Sequence, residues 1–147
     1  MKRINFFIVI FYFLTFCVIL KAENNISLKE YLIKKNIKES STQIYLLNRC
    51  SAVYVYASAI ILKSDPVNSK KFIEIANNLL FKSVELKIID KKEKLENAKK
   101  IAEEERENIF RNYSIDGKKN WIKNKSYFKG SYISEDISIC DKLINNK

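Results

Sequence analysis

The stretch Gln43 to Leu62 reads QIYLLNRCSAVYVYASAIIL, and Arg49 is its one charged residue. A helix built from it is apolar nearly all round, and such a helix belongs at the centre of a bundle or in a membrane. Its length suits a membrane span. Asn48-Arg49 argues against one, because an arginine away from the helix ends costs roughly 2–3 kcal/mol on insertion scales, and Cys50 to Leu62 alone is short for a crossing. The run is therefore read as a buried bundle helix. Leu46, Cys50, Val53, Ala57 and Ile60 recur at steps of three and four as one seam. Ser51, Ala52, Ala57, Ser58 and Ala59 are small enough for neighbouring helices to come close. The hydroxyls of Tyr45, Tyr54 and Tyr56 are expected to reach the core's edge.

The rest of the chain supports a helical reading. Pro66, Gly117 and Gly130 are the only proline and glycines, too few for a strand-and-turn fold. Ser27-Leu28-Lys29-Glu30 is a capping box that opens a short helix to about Lys38. Ser41 or Thr42 caps the central helix. Asp65-Pro66 caps and starts the next, since a missing amide is harmless at the first helical position. Phe72, Ala76, Leu79, Ser83 and Leu86 then share a face, followed by a charged stretch with a thin seam of Leu95, Ala98, Ala102 and Ile109. The pattern leaves open whether residues 66–112 form one helix or two, and Ile89-Asp90 is the place for any bend. Asp116-Gly117 reads as a turn, and Tyr113 to Gly130 as the least helical part. A last helix begins at Ser134, with Ile137, Cys140 and Ile144 on one face. The fold class is all-α, a bundle of about four helices with one disulfide.

The N-terminus reads as a targeting segment. Met1-Lys2-Arg3 precedes an uncharged run from Ile4 to Leu20, and Lys21-Ala22 precedes polar residues. Residues 1–22 are therefore expected to be a signal peptide, with retention of residues 4–20 as an anchor the alternative, and residues 23–147 one helical domain. The remaining chain is still strongly basic, given a whole-chain charge of +10. Export favours a disulfide between Cys50 and Cys140, each on an apolar helical face.

Little here points to catalysis. There is no histidine, which removes the commonest general base and metal ligand, and the two glycines lack any phosphate-loop spacing. No catalytic residue, metal ligand or cofactor is assigned. Glu103, Glu104, Glu105 and Glu107 read as a solvated helix face rather than a carboxylate site. Arg49 is expected to pair near the core's edge with Asp136 or Asp141. The candidate binding surface is Lys118, Lys119, Trp121, Lys123, Lys125 and Lys129, where cations alternate with the aromatics Trp121, Tyr127 and Phe128. Export makes nucleic acid a poor partner for it. The leading functional expectation is a non-enzymatic periplasmic or extracellular protein acting by protein–protein contact. The alternatives are a binder of anionic lipid headgroups or acidic glycans through residues 118–129, and a membrane-tethered accessory subunit.

Overall fold

A computed structural model describes residues 26–145. The expected signal segment, with its cleavage or retention, lies outside them. The described chain forms five helices and no strand: α1 (Leu28–Lys34), α2 (Ser40–Ile61), α3 (Pro66–Lys91), α4 (Leu95–Asn124) and α5 (Tyr132–Asn145).

Helix α2 is the axis of the bundle. It packs against α3, α4 and α5, and its buried residues run from Thr42 to Ser58 on more than one side. It is long and apolar enough to cross a membrane, yet most of it is covered by its neighbours. Its small residues bring α3 close: Ser51 Oγ donates to the Ala76 carbonyl at 2.7 Å, and the Ser58 and Ser69 hydroxyls meet at 2.8 Å. Leu46, Cys50, Val53 and Tyr54 form the main core with Leu79 of α3, Ile109 and Tyr113 of α4, and Ile133 and Cys140 of α5. Cys50 and Cys140 lie at disulfide distance, with Cα atoms 5.4 Å apart across a sequence separation of 90. A disulfide there fastens α5 onto α2.

The helix boundaries follow the caps where the caps are strong. Ser27 Oγ accepts from the Glu30 amide at 3.2 Å, and Asp65 Oδ1 accepts from the Asn68 amide at 3.0 Å, directly before Pro66. Other boundaries differ from expectation. Helix α1 stops at Lys34 rather than Lys38, because Asn36 accepts from the Lys38 and Glu39 amides and turns the chain. Helix α2 then starts at Ser40 with Glu39 at the cap position, which places Ser41 and Thr42 inside the first turn.

The helices number five rather than about four because the chain breaks at residues 92–94, a little beyond Ile89-Asp90. Lys92 turns left-handed (φ 55°) and its amide closes onto the Lys87 carbonyl. The larger departure is α4, which continues through the expected turn at Asp116-Gly117 as far as Asn124. Tyr113 and Gly117 lie one turn apart and both face Tyr56, whose ring stacks on Tyr113 at 6.1 Å. With no Cβ, Gly117 leaves room for the Tyr56 hydroxyl. Packing thus overrides the local turn signal.

Candidate functional site

Arg49 is the most unusual side chain of the core, and it is 1 % exposed, not at the core's edge. Every face of its guanidinium is used. Nε donates to Asp136 Oδ2 at 2.8 Å and to the Tyr113 hydroxyl at 3.1 Å. Nη1 donates to the Tyr45 hydroxyl at 2.8 Å, and Nη2 reaches the Ile26 carbonyl and Asp136 Oδ2. Asp136 also accepts from Tyr113 at 2.6 Å and from the Leu28 amide at 2.6 Å. Asp141, the other expected partner, instead accepts from Tyr54. Burial alone would lower the Arg49 pKa, but Tyr113, Asp136 and Tyr45 outweigh it and hold the cation well above its ordinary range. Burial likewise raises the Asp136 pKa, with Arg49 the largest influence pulling it down. A pair so fully enclosed and satisfied acts as a joint between α1, α2, α4 and α5. It does not offer a surface to a ligand.

The basic–aromatic segment does offer a surface. Lys118, Lys119, Trp121 and Lys123 occupy the last turns of α4, where cations complement the helix dipole. Lys125 closes the helix in a left-handed conformation (φ 53°), its amide bonding the Trp121 carbonyl at 2.9 Å. The loop that follows is pinned rather than loose. Buried Asn120 donates to the Ser126 and Lys129 carbonyls at 2.7 and 3.0 Å, and Ser126 Oγ accepts from the Phe128 and Lys129 amides. Lys129 is thereby held beside the helix end, and all five lysines are exposed.

The three aromatics separate. Phe128 turns inward and meets the Tyr56 ring edge-on at 5.6 Å, whereas Trp121 is 44 % exposed and stacks on Tyr127 at 4.8 Å. Ile115 and Ile122 add an apolar centre to the face, and Ile122 is 74 % exposed. Two helical turns apart, they lie at the middle of the outward arc of α4, with Lys118 and Lys125 to one side and Lys119 and Lys123 to the other. Their spacing was visible in the sequence, but the turn assigned to Asp116-Gly117 concealed it. Residues 111–130 carry Arg111 and five lysines against the single carboxylate of Asp116. Asp116 is itself engaged, by Lys119 at 3.1 Å and by the Tyr132 hydroxyl at 2.9 Å.

The glutamate run is less uniform than the solvated face expected of it. Glu103, Glu104 and Glu107 are exposed, but Glu105 is only half-exposed and takes hydrogen bonds from Asn48 and Lys87. Packing of α4 against both α2 and α3 selects this one carboxylate. Among the described residues no group of three or more Asp, Glu or Cys side chains could hold a metal ion. No protein-family model matches this chain, and no match is found among curated proteins or solved structures.

Proposed function

We propose that this is a non-enzymatic, exported helical protein that acts by surface contact, docking on an anionic lipid surface through the outward face at the C-terminal end of α4. The observation that carries this reading is the pairing of exposed Ile115 and Ile122 with flanking lysines and a half-exposed Trp121. Apolar residues at the centre of a cationic face suit the headgroup boundary of a bilayer, where rings and methyls enter and ammonium groups stay outside. Export is supported by the charged start and apolar run of residues 1–20 and by the Cys50–Cys140 pair.

Trp121 is the chain's one tryptophan, so its emission reports this face directly. Vesicles of mixed phosphatidylglycerol and phosphatidylcholine should shift the emission to the blue and sediment the protein, whereas pure phosphatidylcholine should not. Replacing Lys118, Lys119 and Lys123 together by Glu should abolish both effects. Unchanged binding by that variant, or no binding at low salt, sinks the proposal.

A protein partner is the second reading. It is favoured by the apolar groove of about 360 Å³ between α3 and α4, where Phe81 and Leu95 lie exposed beside Leu80 and Val84. Capture of one envelope protein by the native chain, lost in Phe81→Asp, supports it over lipid docking.

A further inference from the structure

A second cleft, of about 380 Å³, opens where α2, α3 and α4 meet. Its walls are apolar at Ile44 and Ile109, and its polar lining includes Asn48, Lys87, Glu105 and, exposed at the rim, Lys91, beside Ser41, Tyr45 and Asn108. Asn48 is 1 % exposed. Its Nδ2 donates to Glu105, while its Oδ1 is buried and has no donor among the described residues. Lys87 is 7 % exposed, and its ammonium reaches Glu105 Oε1 at 3.0 Å. A core position next to Ile44 and Ile109 is filled most stably by an aliphatic side chain. A buried amide oxygen left unpaired works against the fold, whereas the buried Lys87 is satisfied by Glu105. Apolar walls with a few convergent polar groups are the usual composition of a small-molecule site.

We infer that this cleft binds a free α-amino acid with an apolar side chain. The ligand must bring an N–H donor to Asn48 Oδ1, and an ammonium does so while also meeting the Glu105 carboxylate. The lysines, Lys87 within and Lys91 at the rim, suit a carboxylate at the other end. Two cations against one carboxylate match a zwitterion better than a simple amine, which would face both lysines uncompensated. Ile44 and Ile109 would cover the aliphatic part. This site is separate from the outward face of α4, so neither proposal depends on the other.

The test uses the native protein with L-leucine, 4-methylpentanoate (carboxylate without ammonium) and isoamylamine (ammonium without carboxylate), followed by calorimetry and amide NMR. L-leucine should bind saturably and shift amides around residues 44–48 and 87–91, with each truncated probe weaker by about tenfold or more. Asn48→Leu should abolish binding and yet raise the melting temperature, since a buried polar group retained for binding works against the fold. Lys91→Glu, an exposed rim change that leaves the fold intact, should weaken L-leucine about tenfold without altering vesicle binding. No saturable binding of L-leucine by the native protein overturns the inference. Equal binding of all three probes also overturns it, and a folded but less stable Asn48→Leu makes Asn48 a structural residue instead.

Discussion

Gly117→Ala tests the close approach between α2 and α4. In an unconstrained helix interior this change is stabilising, by about 1 kcal/mol. Here a Cβ on residue 117 would overlap the Tyr56 hydroxyl and stand 2.7 Å from Cζ of the same ring. The ring cannot simply swing away. Phe110, Tyr113 and Phe128 surround it with centroids at 6.5, 6.1 and 5.6 Å. Overpacking a filled core costs typically 1–3 kcal/mol, and overlap with two atoms of a caged ring puts this site at roughly 3. Set against the propensity gain, the net loss is about 2 kcal/mol, a fall in melting temperature of roughly 6–12 °C for a domain of this size. Tyr56→Phe supplies the control. The Tyr56 oxygen has no hydrogen-bond partner among the described residues, so its removal alone should be neutral or mildly stabilising. In that background Gly117→Ala should cost at least 1 kcal/mol less, a coupling readable by a double-mutant cycle in urea. If Gly117→Ala stabilises the native protein, or the two changes simply add, the argument from close approach is wrong.

Three further outcomes follow from the same packing. Asp136→Ala leaves Arg49 buried beside Tyr45 and Tyr113 without its counter-charge and should cost about 3–5 kcal/mol; a loss below 1 kcal/mol in urea unfolding would show that the pair is dispensable. Reducing the Cys50–Cys140 bridge, which spans 90 residues, should cost roughly 4–5 kcal/mol in the chain-entropy account, and hydrogen exchange should show α5 amides losing protection before those of α2, not together with them. Burial first, and Tyr127 second, push the Tyr56 hydroxyl from 10.0 up to about 12. A raised pKa means the fold favours the protonated ring, so its contribution is complete below pH 10 and is lost as pH rises towards 12. Absorbance at 295 nm should therefore show the tyrosines of the α2–α4 contact ionising together with loss of helical circular dichroism; ionisation of every tyrosine near pH 10 with the helix signal intact contradicts this.

The parts of the fold that could be read from residues are those where one local signal has no competitor. The α2 run, the Asp65-Pro66 start and the pairing of two cysteines on apolar faces all belong to this class. The cysteine pairing, which brings α5 alongside α2, narrowed the partner of Arg49 to Asp136 or Asp141, and only the structure separates them. How deeply Arg49 sits was not, since its enclosure depends on Tyr113 and on the Ile26 carbonyl, contributed by distant elements. The break after Lys91 has no Gly or Pro to announce it; a lysine takes the left-handed conformation, which single residues signal poorly. Gly117 carried a real turn signal that the Tyr56 contact overrode. The lysines of the candidate surface were readable as cations, but their grouping around Ile115 and Ile122 became visible only once that stretch was helical.

The partners of α2 also set an order of events. Arg49 finds its counter-charge 87 residues downstream, and the adjacent Cys50 finds its partner 90 residues downstream, both in the last helix. A chain made from its N-terminus therefore carries an uncompensated cation and an unmatched thiol at its centre until α5 arrives. The surroundings of Arg49 and Cys50 are complete only once α5 docks. The final helix, short and mostly surface, is the latch.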